Sequence, residues 1–278
     1  MSAIKKLLTK SFLERLLSGI VLLAIALFTI IIGDDVLFVT IATISFIGLF
    51  ELLRVFKLQW KPIGIVGYLA TIIYYTLIRT ELSEYLIILF IGYLICLMAV
   101  YVLTFPKFKA LDMMVGFFAF FYVVIMLSYV YQIRMLTDGK YVVWLIFLCS
   151  WGCDTCAYLV GVMFGKHKMA PVLSPKKSIE GGIGGVVGAG LLGLLYATIF
   201  KDKLMIDNAN IVFPIVCAIG AIISQLGDLC ASGIKRDHEI KDYSKLIPGH
   251  GGILDRFDSV IITAPIIFYL ISYLVKLM

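Results

Sequence analysis

The stretch YLIILFIGYLICLMAVYVLT, Tyr85 to Thr104, runs for twenty residues without a single charge. At a rise of about 1.5 Å per residue, a helix of that length covers about 30 Å, the hydrocarbon thickness of a bilayer. Inside lipid every backbone N–H and C=O must be bonded within its own segment, so the run is read as a transmembrane helix. Working outward, eight more apolar runs are found at 16–33, 36–53, 62–78, 113–133, 141–162, 181–200, 211–231 and 259–277. The expected fold is an all-α integral membrane protein with about nine transmembrane helices.

Composition agrees with that reading. Of 278 residues, 62% are hydrophobic and 15% charged, and the mean hydropathy is +1.04. Soluble domains usually carry about 25% charged residues. The first run, 16–33, follows Lys5, Lys6, Lys10 and Arg15, as a signal peptide would. It is too long for a usual signal core and ends in Gly33-Asp34-Asp35 with no small-residue cleavage site, so it is read as a retained span.

Lys and Arg set the orientation. The N-terminal tail and the segments after the second, fourth, sixth and eighth runs hold 18 of the 24 basic residues. The N-terminus is therefore expected in the cytosol and the C-terminus outside, in the plasma (inner) membrane of a bacterium. The net charge of +6 is mostly this topological signal and is not a nucleic-acid footprint. The segments after the sixth and eighth runs hold nine of those 18 residues, which suggests that an anion binds there. On this basis residues 1–140 form an N-terminal membrane region with five spans, and residues 141–278 a catalytic membrane region with four.

Two motifs are set aside. Cys153 and Cys156 make a C-x-x-C beside Cys149, but no His or further Cys completes a metal set and no βα context supports a redox site. Gly188 to Gly193 fits G-x-G-x-x-G, yet it lies inside an apolar run with no preceding strand. Gly181, Gly185 and Ala189, with Gly184 and Gly188, recur every four residues and read instead as surfaces for close helix packing.

Charges within spans are costly, so Asp154 and Asp228 draw attention as functional groups. On a helix, Ser224, Asp228, Ser232 and Lys235 share one face, and Asp242 returns to it if the helix continues. The segment Pro248-Gly-His-Gly-Gly252 then breaks the helix, and its glycines let backbone N–H groups come close to phosphate oxygens. The ninth span begins near Asp255 and Asp258, neighbours on one turn, where Asp228 can face them. Carboxylates among Lys and Arg, without a His or Cys cluster, suit a hard cation such as Mg²⁺ that holds phosphates. A salt-bridged interfacial loop is the plainer alternative.

The run Ser232-x-x-Lys235-Arg236-x4-Lys241-Asp242-x5-Pro248-Gly-His-Gly-Gly252-x-x-Asp255-Arg256-x-Asp258 resembles the signature of the phosphatidate cytidylyltransferase family. The stretches Trp151-x-x-Asp154-Thr155-x-Ala157-Tyr158, Phe164-Gly-Lys166-x-Lys168 and Ser174-Pro-Lys176-Lys177-Ser178-x-Glu180-Gly181 are similar to that family too. Val162 stands where an arginine is often found, and Ser178 where threonine is usual. The resemblance implies that CTP and phosphatidate give CDP-diacylglycerol and pyrophosphate, with Mg²⁺ and with K⁺ as a second metal, in a polar cavity open to the cytosol. It allows a homodimer.

In that reading Asp228 and Asp255, then Asp258, hold metal, and Lys176, Lys177 and His250 join Asp228 and Asp255 in catalysis. Ser178, Ser232, Lys235, Arg236, Lys241, Gly249, Gly251 and Gly252 bind phosphate, while Asp154 and Asp242 support them from behind. A CTP-dependent polyprenol or lipid kinase and a secondary transporter are the competing functions. The first would need a base for an alcohol, and the second would place its charges near the midplane in paired halves.

Overall fold

The run that opens the sequence reading folds as a helix, Leu86–Thr104, entered through a 3₁₀ turn at Ser83–Tyr85. It is α4 of nine helices found among the described residues, which in this computed structural model are residues 10–277, with side chains over 17–275. The others are α1 (Lys10–Ile32), α2 (Asp34–Val55), α3 (Pro62–Arg79), α5 (Ala110–Arg134), α6 (Gly139–Phe164), α7 (Ile179–Phe200), α8 (Ala209–Asp237) and α9 (Leu254–Leu277). Among the described residues, eight helices are long and apolar enough to cross a membrane, while the described apolar part of α1, Leu17–Ile32, is shorter. The chain is thus a multi-pass membrane protein. Lys5 and Lys6, which carry part of the charge argument, lie outside the described residues, as do the side chains of Lys10, Arg15 and Lys276.

Two features depart from the sequence reading. The fold is helical as expected, but a hairpin interrupts it: β1 (Lys168–Ala170) and β2 (Ser174–Ser178) pair antiparallel in the segment between α6 and α7. α8 continues past the apolar run to Asp237 and then stops at His238, so Asp242 does not return to the Asp228 face. α9 starts at Leu254, which agrees with a ninth span beginning near Asp255 and Asp258. Hydropathy follows the hydrocarbon, whereas backbone hydrogen bonding carries a helix beyond it until a cap or break intervenes.

Helix ends are joined at both ends of the bundle. At one, Arg79 pairs with Asp35 at 2.6 Å, and the Asp138 carboxylate accepts from the Met205 and Ile206 amides at 2.6 and 3.0 Å. At the other, the ends of α2 and α8 meet the segment leading into α9, through contacts described below.

Small residues let α6, α7 and α8 pack closely, as the four-residue spacing implies. A Cβ added at Gly185 would lie 2.9 Å from both the Ala157 Cβ and the Cys153 Sγ. Cys149, Cys153 and Cys217 are buried in this contact as free thiols. α5 and α6 each contain a π-helical turn, Phe120–Ile125 and Leu148–Gly152. Such turns shift the face that a helix presents and are frequent beside functional sites.

Candidate active site

The β1–β2 hairpin stands over the gap between α6 and α8. Its base is fixed by Glu180, whose carboxylate accepts from the Lys166 amide at 3.1 Å and meets the His167 ring at 2.6 Å. Ser178 caps α7, its hydroxyl accepting from the Gly181 amide at 3.2 Å. That oxygen has a helix-terminal donor of its own, so its place in the fold is explained without a phosphate. Strand alternation separates the two lysines: Lys176 is exposed, while Lys177 is half-buried and forms an ion pair with Asp228 on α8.

Beneath the hairpin is a cavity of about 550 Å³, within the range of small-molecule sites. Its polar lining is Asp154, Tyr158, Lys168, Lys176, Lys177, Ser178, Gln225 and Asp228. Gln225, one turn before Asp228, donates to the Gly182 carbonyl at 3.1 Å and so ties α8 to the start of α7. Asp154 on α6 lies within electrostatic reach of Lys177, Asp228 and Arg256. Asp258 lies within reach of Asp228, Lys235 and Arg256. The acidic groups of three helices thus converge at one end of the bundle, together with basic groups from the hairpin and α9.

A second assembly adjoins the first. The Lys235 ammonium donates to Asp255 Oδ1 at 2.8 Å, and Asp255 Oδ2 accepts from the Tyr243 and Gly252 amides at 2.7 and 2.9 Å. Glu51, buried near the end of α2, accepts from the Ser244 hydroxyl at 2.5 Å and from the Ile253 and Leu254 amides at 3.1 and 2.9 Å. It thereby satisfies donors at the start of α9 from another helix, where a negative charge is also favoured by the helix dipole. Arg54 donates to the Tyr243 carbonyl. The Tyr243 hydroxyl donates to the Ala231 carbonyl at 3.2 Å. Burial first, then the charges of Asp255 and Asp258, push that phenol well above its ordinary value, so it stays neutral and donates.

The glycine-rich turn serves the packing of the protein itself. A Cβ at Gly251 would lie 2.8 Å from Asp255 Oδ2, and the backbone there has φ +83°. At Gly252 it would lie 2.5 Å from Glu51 Oε1. The glycines allow close approach, but to two of the protein's own carboxylates. The His250 and Gly251 amides donate to the Ile247 carbonyl at 3.0 and 3.1 Å. In this arrangement the amides of residues 250–252 are all engaged inside the protein.

The remaining predicted residues are spread around this core. Ser232 is half-buried on α8, whereas Arg236, Lys241, Asp242 and Gly249 are exposed. His250 turns toward α1, its Nδ1 lying 2.7 Å from the Ser18 hydroxyl, beside a cavity of about 290 Å³. Sequence reasoning gave no role to Glu51, Gln225, Tyr243 or Arg256. Glu51 was detectable by the rule that singled out Asp228, being an ionisable residue inside an apolar run. Gln225 shares the helical face of Asp228.

Among the described residues, no group of three or more His, Cys, Asp or Glu side chains is spaced to enclose a metal ion. The chemistry of the donors nevertheless fits Mg²⁺, which commonly takes only one or two carboxylates and fills its other positions with water and substrate phosphate. Asp228 and Asp255 each face an ammonium group through one oxygen, a cationic partner that a metal would have to displace, and the other oxygen of Asp255 accepts from two amides. Asp258 adds a third carboxylate, with Oδ1 held by the Ser259 amide at 2.8 Å.

A sequence model of the Cytidylyltransferase family matches residues 13–274. A Bacillus subtilis phosphatidate cytidylyltransferase is 32% identical over 275 residues, covering 93% of this chain and 97% of the relative. Phosphatidate cytidylyltransferases of Staphylococcus haemolyticus and Staphylococcus saprophyticus are 36% and 33% identical, each aligned over 91% of this chain and 96% of its own length.

Proposed function

This chain belongs to the cytidylyltransferase family, and we propose on that footing that it joins CTP to phosphatidate, releasing pyrophosphate and leaving CDP-diacylglycerol in the membrane. An oxygen of the lipid phosphate forms a bond to the α-phosphorus of CTP, and the bond from that phosphorus to the β-phosphate bridging oxygen breaks. The nucleophile is already an anion, so no strong base is required. The protein's task is to hold two anions together in line and to balance the charge that collects on pyrophosphate.

The observation that carries the reading is the Lys177–Asp228 pair, which closes the larger cavity from two sides beside Asp154 and Asp258. In this reading the triphosphate lies against Lys168, Lys176 and Lys177, and cation-binding carboxylates stand opposite. Asp228 and Asp255 would hold Mg²⁺, with Asp258 next and with K⁺ as a second metal; the ions would neutralise phosphate oxygens. Lys235 steadies Asp255 now and becomes available to phosphate if a metal takes its place. The excess of Lys and Arg at this end of the bundle supports a cytosolic site, with the N-terminus inside, the C-terminus outside and nine spans. The relatives are bacterial, which supports the plasma membrane as the location.

The test is Asp228→Asn and Asp255→Asn in purified protein at saturating Mg²⁺, with the size-exclusion profile as a check on folding. Each substitution keeps shape and removes the charge that a hard cation needs. Loss of CDP-diacylglycerol formation with an unchanged profile is expected. Turnover near that of the unmodified protein in either variant removes that residue from the cation site.

A further inference from the structure

The geometry points to a separate subsite for the phosphomonoester headgroup of one lipid molecule, in the cavity of about 290 Å³ between α1, α6 and α9. The inference rests on the proposed reaction and states where the lipid lies in it. On one side the cavity wall is apolar: Leu22, Leu23 and Ala26 from α1, with Trp151 and Phe257 opposite. Leu23 is 49% exposed and continues into the lipid-facing surface of α1. At the other end are Arg256 and His250. An apolar wall that leads to a guanidinium and an imidazole matches an acyl chain that ends in a phosphate. A ribose or a cytosine would find few hydrogen-bond partners along α1.

Two observations make Arg256 the anchor. Its Nε is buried with no hydrogen-bond partner among the described residues, a cost that a ligand oxygen would remove. It also lies within electrostatic reach of Asp154 and Asp258, which belong to the larger cavity. Trp151, inside the π turn Leu148–Gly152, lines the smaller cavity, and Asp154, three residues further along α6, lines the larger. A phosphate held by Arg256 would therefore sit at the wall shared by the two cavities, next to a nucleotide bound on the other side.

The experiment uses purified full-length protein in mixed micelles, with Arg256→Lys and Ala26→Phe as variants. The first removes the planar two-pronged donor and keeps the charge, while the second fills the apolar end. Ala26→Leu, a smaller filling, serves if Ala26→Phe does not fold. The half-saturating fraction of phosphatidate should rise about tenfold in each, with the KM for CTP within about twofold of the unmodified protein. Dioctanoyl phosphatidate, glycerol 3-phosphate and CTP are also titrated separately. Only dioctanoyl phosphatidate should lose affinity in the Ala26 variant. A raised KM for CTP with phosphatidate unaffected assigns Arg256 to the nucleotide and overturns the subsite, and so does indifference of both substrates. Unmodified protein that binds dioctanoyl phosphatidate without converting it refutes the proposed reaction and leaves the subsite standing.

Discussion

Lys176 and Lys177 are adjacent in sequence, equally basic and both line the larger cavity, yet Lys176 is exposed at its rim while Lys177 is half-buried and paired with Asp228. Lys177→Arg should therefore cost more activity than Lys176→Arg. A displacement of reacting groups by about 1 Å can lower the rate on the order of 100-fold, and a guanidinium is wider than an ammonium. Parallel assays of both variants check this, and equal losses would show that the alternation is irrelevant. Glu51 gives a second test at this scale. Glu51→Gln turns one accepting oxygen into a donor facing other donors, which should lower stability by about 1–3 kcal/mol in detergent unfolding. An unchanged midpoint would mean that its three hydrogen bonds do not hold the start of α9. The sequence showed that acidic residues gather over 228–258, because their spacing survives in one dimension. It did not show that Asp255 and Glu51 occupy the glycine turn, because Glu51 reaches it from α2, some 200 residues away.

Elements were legible where burial in lipid dictates them and illegible where polar contacts decide. The twenty-residue run became α4 nearly to the residue, since an uncharged stretch of that length has few other structures open to it. The hairpin between α6 and α7 was missed, because its strands are short and mostly polar and offer no apolar alternation to read. The glycine spacing in α7 was readable, and the structure supplies the surfaces it meets. Gly185→Val should push α6 and α7 apart and lower thermal stability, since even a Cβ there meets Cys153 and Ala157 at 2.9 Å. Gly92→Ala on α4 is the control, because an added Cβ there meets nothing within 4 Å. Equal stability of the two variants would separate the glycine stripe from packing.

At the scale of the whole molecule, the division at residue 140 does not isolate the site. Glu51 and Arg54 of α2 bind the segment before α9, and Ser18 of α1 accompanies His250. Conserving the last four helices alone would leave the α9 start without its acceptor. The charge split predicts the orientation, so tags at the two termini should report opposite compartments, N-terminal in the cytosol and C-terminal outside. If both were accessible from the cytosol, the nine-span count would fail. The central claim concerns which phosphorus is attacked, and CTP radiolabelled at either the α- or the γ-phosphate, offered with phosphatidate to the purified protein, tests it most directly. The account predicts that α-label enters the lipid and γ-label leaves as pyrophosphate. Transfer of γ-label to lipid would instead identify a kinase, and no transfer of either label would contradict the assignment of a reaction to this cavity.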